Sequence, residues 1–288
     1  MIVKRILYSL KKVPTRSFST ATDEGLITDF LKGTDRGIVV VGLNNHKTKN
    51  ALGKALTQSL HDTFESISSS SNVRVVILRS LVPKVFCAGA NLKERLAMKD
   101  SEVATFVSSL RNLMLKIESV PCPVISCIEG AALGGGLELA LATDIRVASA
   151  SAKLGLVETK LAIIPGAGGT QRLPRLIGTS MAKELIFTGR ILSGKQAKEV
   201  GIVNHCVEDK DEGDSAFQRS LEIAREILPN GPLGVKLAKT AINKGIEVDI
   251  YKGCAIEELC YAQVIPTKDR IEGLRAFHEK RPPVYLGE

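Results

Sequence analysis

The sequence predicts an α/β core that gives way to a mostly helical C-terminal portion. Three observations carry this reading. Short β-branched runs alternate with amphipathic stretches between residues 36 and 149, glycine-rich segments follow the ends of these runs, and from Thr170 onward the pattern turns helical. With 288 residues, 44% of them hydrophobic and 24% charged, the chain has the make-up of a globular protein with room for a large core. Its longest apolar runs are broken by Gly, Asp or Lys well short of the ~20 residues that a membrane-spanning helix needs.

Taken in order, "RGIVVVGLN" (36–44) and "VRVVILRS" (73–80) read as strands buried on both faces. Between them, residues 51–67 place Leu52, Ala55, Leu56, Leu60 and Phe64 at three- and four-residue spacing, which predicts an amphipathic helix. "VFCAGAN" ends a strand in a small-residue loop, and residues 101–120 form a second amphipathic helix. "PVISCIEG" (123–130) is a further strand leading into glycines, a helix begins at about Gly135, and "DIRVAS" (144–149) follows it. The charged stretch "EDKDEGDS" (208–215) is a boundary candidate, which divides the chain into a core over 23–209 and a helical region over 210–288.

Residues 1–22 differ in character. They hold Lys4, Arg5, Lys11, Lys12 and Arg16, no acid, several Ser and Thr, and Ile2, Ile6, Leu7 and Leu10 at helical spacing. That composition predicts a mitochondrial transit peptide, with a permanently attached basic tail as the plainer alternative. Five charges of the formal net +8 thus belong to this segment, which weakens any inference of nucleic acid from charge alone. The six cysteines show no C-x-x-C spacing and only four histidines accompany them, so neither a zinc cluster nor a disulfide framework is predicted. Cys87 lies beside "AGA" but has no basic neighbour to activate it as a nucleophile.

The most unusual stretch is "GAALGGGLELA" (130–140), where three glycines precede Glu138 in apolar surroundings. A strand, glycines and a helix start can bare main-chain N–H groups at the positive end of a helix. The spacing is neither the dinucleotide fingerprint nor a P-loop. On the residues alone it is either a site for an oxygen that turns negative during reaction or a tight helix–strand contact without chemistry. "FCAGAN" (86–91) has the composition for a second donor loop, or for a plain turn. "GLVETKLAIIPGAGGTQRLPR" (155–175) adds Glu158 and another glycine cluster opening a helix. Two carboxylates, two small-residue loops and apolar lining make a set suited to acid–base chemistry beside a polarised carbonyl.

"FCAGANLKER", "GAALGGGLELALATDIRVA", "LVETKLAIIPGAGGTQRLPRLIG" and "PTKDRIEGLRAFHEKRPPVYLGE" together closely resemble the enoyl-CoA hydratase/isomerase (crotonase) superfamily, from about residue 30 to the C-terminus. "LVETKLAIIPG" and "AIEELCYAQVIPTKDR" are similar to the branch that hydrates methylglutaconyl-CoA, some of whose members bind AU-rich RNA. The resemblance implies a spiral of ββα turns with a C-terminal helical region that makes trimers, paired into hexamers. It implies hydration of a 2-enoyl-CoA thioester in the mitochondrial matrix, with coenzyme A as part of the substrate and no separate cofactor or metal. A Δ3-Δ2-enoyl-CoA isomerase is the runner-up, since one carboxylate base beside the same oxyanion hole serves a proton shuttle.

Residue by residue, the resemblance makes Glu138 and Glu158 the catalytic pair, with Glu138 assigned to water activation and Glu158 to protonation of C2. The N–H groups of Ala88 and Gly135 match the oxyanion hole, and Gly166 matches the position that helps hold the reacting water. Lys49 and the loop residues Gly89, Ala90 and Asn91 match coenzyme A contacts, while Phe277 and Lys280 match C-terminal residues that reach a neighbouring subunit's coenzyme. Two departures stand out. Asn91 replaces the family's usual Asp, and no Lys or Arg occurs between Lys54 and Arg74, where RNA-binding relatives carry a lysine-studded helix. RNA is therefore a partner the sequence does not favour.

Overall fold

The computed structural model describes residues 20–22, 25–210 and 213–288. Strands β1 (Thr20–Thr22), β2 (Leu26–Phe30) and β3 (Ile38–Leu43) open the chain as an antiparallel run. The rest of the basic leader lies outside the described residues. Helix α1 (Lys54–Ser68) then leads to two successive strands, β4 (Val75–Ser80) and β5 (Val85–Cys87). Helices α2 (Leu92–Ala97) and α3 (Asp100–Glu118) precede the next pair, β6 (Val124–Ile128) and β7 (Ala131–Leu133). Helix α4 (Gly135–Leu141) leads to β8 (Ile145–Ser149) and β9 (Lys153–Gly155), and α5 (Gly169–Ile177) with α6 (Thr179–Thr188) closes that turn. Strand β10 (Leu192–Ser193), α7 (Gly194–Glu199) and β11 (His205–Val207) complete the sheets.

The units β4/β5, β6/β7 and β8/β9 thus each give one strand to each of two sheets and are followed by helix. The larger sheet runs β1-β2-β3-β4-β6-β8-β11 and is parallel from β3 onward; the smaller runs β10-β9-β7-β5. Register is held by apolar partners such as Ile77 with Ile125 and Ile125 with Ile145. Both faces of the large sheet are covered, which is why its strands read as unbroken apolar runs instead of alternating ones. Val39, Val41, Val76 and Leu78 face the core shared with α1 and α3; Ile38, Val40, Val75 and Ile77 face the opposite way. That second face is sealed by α8 (Ser215–Ile227), through Ala216, Leu221, Ile223 and Ala224.

Helix α8 therefore packs as part of the sheet layers. Beyond Gly231 the chain adds helices alone. There α9 (Pro232–Gly245) and α10 (Ile250–Val264) pair, followed by α11 (Lys268–Glu279). Lys239 ties α9 to the core, donating to Asp144 at 2.7 Å and to the Cys122 carbonyl at 3.1 Å. Among the described residues no helix is long and apolar enough to cross a membrane.

Candidate active site

The three glycines have three separate jobs. Gly136 lies under β5: a Cβ there would fall 2.2 Å from the Cys87 carbonyl oxygen, so only glycine lets α4 pack this closely. Gly135 is the first residue of α4, and its N–H has no intrahelical acceptor. At Gly134 (φ +52°) a Cβ would lie 3.2 Å from one carboxylate oxygen of Glu158, so the bare main chain leaves room for that side chain.

Glu138 follows on the first turn of α4 and is only 3% exposed. Its Oε1 accepts from the N–H of Ala167 at 2.8 Å and of Gly169 at 2.7 Å. The loop before α5 thus wraps one oxygen of the carboxylate and fixes its direction. Burial raises the Glu138 pKa, and these two N–H bonds, with the charges of Arg172 and Arg111, pull it back. Glu158 begins a short 3-10 turn at 158–161 and is 9% exposed. Its Oε2 is buried with no hydrogen-bond partner among the described residues. Burial first, and the charge of Glu138 second, push the Glu158 carboxyl up to about 7. The two acids therefore feel each other's charge, with Glu138 held by the N–H groups of Ala167 and Gly169, and Glu158 pulled back only in part by its own N–H and that of Val157.

The donor loop differs from expectation in one residue. The N–H of Ala88 donates to the Lys49 carbonyl at 3.1 Å, so it is not open to a ligand. The free donor is at Ala90. Leu52 pairs with Ala90 as a parallel bridge, in which Leu52 N–H donates to Gly89 O and Asn91 N–H donates to Leu52 O. That geometry turns Ala90's own N–H to the opposite side, where no described backbone group accepts it. A Cβ on Gly135 would lie 3.5 Å from Ala90 N, and one on Gly89 would lie 3.5 Å from Gly135 N. The N–H groups of Ala90 and Gly135 therefore border one small gap. Gly89 makes the approach possible: its φ is +98°, and a Cβ would sit 2.7 Å from the Leu133 carbonyl oxygen.

Asn50, unremarked in the sequence, holds this loop in place. It is fully buried at φ +56°, and its Nδ2 donates to Ser80 Oγ at 2.8 Å and to the Phe86 carbonyl at 2.9 Å. Its Oδ1 accepts from Asn45 N–H at 2.8 Å. Asparagine in the polar run "KTKNAL" gives little signal for this, because only the fold brings Phe86 and Ser80 to it. Cys87 Sγ donates to the Asn50 carbonyl at 3.0 Å, and burial pushes the thiol up to about 12, which removes it as a nucleophile at neutral pH.

Of the other predicted contacts, Lys49 is exposed in the neighbouring loop, and Gly166 lies in the loop that wraps Glu138. Asn91 caps α2, accepting from Glu94 N–H and donating to Glu94 Oε1 at 2.6 Å; Glu94 Oε2 in turn accepts from Lys54 N–H at the start of α1. The position usually held by Asp thus serves a local clamp on two helix ends. Phe277 on α11 and Lys280 just past its end stand exposed, Phe277 at 87%, and no described hydrogen bond or ion pair links that helix to the glutamates.

The profile described as "Enoyl-CoA hydratase/isomerase" matches residues 33–288. The chain belongs to the enoyl-CoA hydratase/isomerase family. It is 57% identical to methylglutaconyl-CoA hydratase, mitochondrial, of Homo sapiens, over 96% of this chain and 82% of that protein. It is 53% identical to enoyl-CoA hydratase domain-containing protein 2, mitochondrial, of Homo sapiens, over 90% of this chain and 88% of that one. Among solved structures, the enoyl-CoA hydratase from Bacillus anthracis superposes with a TM-score of 0.87 at 49% identity, covering 92% of this chain and all of that one. The two-sheet spiral with its helical C-terminal region is the crotonase fold.

Proposed function

We propose that this protein adds water across the C2=C3 double bond of a 2-enoyl-CoA thioester. The proposed substrate is 3-methylglutaconyl-CoA, hydrated to 3-hydroxy-3-methylglutaryl-CoA in leucine degradation. The observation that carries the reading is the pair of buried carboxylates, Glu138 and Glu158, beside two unpartnered main-chain donors. An enoyl thioester is a poor electrophile at C3 until charge can collect on its carbonyl oxygen. With that oxygen in the gap between Ala90 and Gly135, two N–H groups meet the developing enolate, and each such donor is typically worth ~3 kcal/mol.

The two acids suit different tasks. Glu138, pinned through Oε1 by Ala167 and Gly169, keeps its other oxygen for the attacking water and takes its proton. Glu158, raised to about 7, holds a proton near neutrality and delivers it to C2. Gly166, beside the Glu138 loop, helps place the water. All of this chemistry is carried by side chains and main chain, with coenzyme A as part of the substrate. An isomerase would need only one of these acids, and the second favours hydration. Steady-state hydration of crotonyl-CoA and methylglutaconyl-CoA, with Glu138→Gln and Glu158→Gln alongside, tests the reading. Variants that keep wild-type rates would end it.

The C-terminal helices expose Ile242, Ile246, Tyr251, Leu259, Leu274 and Phe277, an apolar surface suited to self-association. We assign it to a trimer, paired into a hexamer, in which Phe277 and Lys280 reach a neighbour's coenzyme A, with Lys49, Gly89, Ala90 and Asn91 contacting the coenzyme from within the subunit. Elution as a monomer in sizing would contradict this. The mitochondrial names of the relatives and the basic composition of residues 1–22 support a matrix location after removal of the leader. RNA is not favoured as a partner, since α1 carries Asp62 and Glu65 and its Lys54 is paired with Glu102.

A further inference from the structure

Helix α3 contributes a cation that the hydration chemistry does not use. Arg111 Nη2 donates to the Gly166 carbonyl at 3.1 Å, in the loop that wraps Glu138. Val107, one turn earlier on the same face, also meets this loop: a Cβ on Gly166 would fall 2.9 Å from its Cγ1. The α3 face bearing Val107 and Arg111 is thus a wall of the glutamate site, and the Arg111 charge acts on Glu138.

The neighbouring cation, Arg172, already has an anionic partner, although its buried Nε has none among the described residues. It pairs with Glu118 at 2.7 Å and donates to the Ala167 carbonyl at 3.3 Å. Arg111, by contrast, forms no ion pair among the described residues, and its hydrogen bond goes to a neutral carbonyl. A guanidinium has five donors in a planar fork that matches a carboxylate two bonds at a time. With the thioester oxygen at Ala90 and Gly135 and C3 between the glutamates, an acyl chain beyond C3 leads toward this wall.

We propose that Arg111 is the specificity residue of the site, holding a second carboxylate at the far end of the acyl chain. The favoured substrates are then 2-enoyl-CoA thioesters that end in an acid group a short distance beyond C3, and plain alkyl chains gain nothing from this contact. The inference rests on the hydratase reading and deepens it.

Two saturated, unreactive thioesters separate the effects: glutaryl-CoA, which carries the distal carboxylate, and butyryl-CoA, which does not. Calorimetric titration of the wild-type protein is expected to favour glutaryl-CoA about 10- to 100-fold, the range for a hydrogen-bonded charge. Arg111→Gln removes that preference, and Arg111→Lys, which keeps the charge but loses the fork, retains part of it. An unaltered preference in both variants, or an equal loss for both ligands, overturns the assignment. The ratio of kcat/KM for methylglutaconyl-CoA to that for crotonyl-CoA, read on the same proteins, should fall by a similar factor in Arg111→Gln. A wild-type protein that hydrates neither substrate refutes the hydratase reading itself, whereas hydration of both with a ratio untouched by Arg111→Gln refutes only the role of Arg111.

Discussion

Replacing Glu158 by Gln removes a charge from a carboxyl that burial and Glu138 hold at about 7, against an ordinary value of 4.5. At ~1.36 kcal/mol per pKa unit, that rise is on the order of 3 kcal/mol against the ionised form in the folded protein. The cost depends on pH in a definite direction. Below the ordinary carboxylate range both folded and unfolded chains carry the proton, and the substitution changes stability little. Between 4.5 and about 7 the folded state binds the proton more tightly, so wild-type stability falls as pH rises through this window. Above it, folding forces a bare carboxylate into a site where Oε2 has no partner. Gln has the same shape and no charge. Glu158→Gln should therefore be more stable than wild type at pH 8 by about 1–3 kcal/mol, and nearly equal to it at pH 4.5. At about 2–4 °C per kcal/mol for a chain of this size, the rise in Tm is several degrees. Thermal and urea denaturation of both proteins at the two pH values is the assay. A variant no more stable at pH 8, or one stabilised equally at both pH values, would refute the account of Glu158 as a desolvated acid facing Glu138.

Other changes bear on the rest of the site. Glu138→Gln keeps an oxygen for the Ala167 and Gly169 N–H groups, so it should fold normally by circular dichroism while kcat falls about 10²- to 10⁴-fold. Gly89→Ala forces a Cβ toward the Leu133 carbonyl at φ +98° and should widen the gap between Ala90 and Gly135, which a fall in kcat larger than the change in KM would report. Asn50→Ala takes this partner from the Phe86 carbonyl and the Asn45 N–H and leaves the buried Ser80 hydroxyl with only its bonds to Val82. It should lose roughly 2–4 kcal/mol in urea denaturation, and hydration should weaken as the 86–90 loop shifts. If Glu158 delivers its proton in acid form, kcat/KM should decline as pH rises past about 7, and a flat profile through that range would remove it from the role.

Much of the fold was legible because the long elements carry strong periods. Residues 51–67 and 101–120 are helices over most of their predicted length, and the runs around Ile38–Leu43, Val75–Ser80 and Val124–Ile128 are strands. The short strands were not legible. Ala131–Leu133, Lys153–Gly155 and Leu192–Ser193 hold two or three residues each, too few to show a period, and they exist because neighbouring strands supply their hydrogen bonds. The same limit applied at α8, whose apolar stripe announces a helix but not that its partner is the outer face of the sheet.

At the site, Glu138 and Glu158 stood out by chemistry alone, since acids in apolar, glycine-rich surroundings need a reason to be there. Which N–H groups accompany them was beyond the sequence. Ala88 and Ala90 are the same residue type two positions apart in one loop, and only the bridge to Leu52 and the bond to Lys49 decide that one donor is taken and the other free. Nothing in the sequence marks Arg111, an exposed residue of α3 whose guanidinium only the fold brings to the Gly166 carbonyl. Local spacing therefore determined the element types, the two acids and the glycines that must stay bare. The direction of each main-chain donor and the surroundings of each charge were set by residues far away in the chain, because hydrogen bonding and desolvation depend on distance in space.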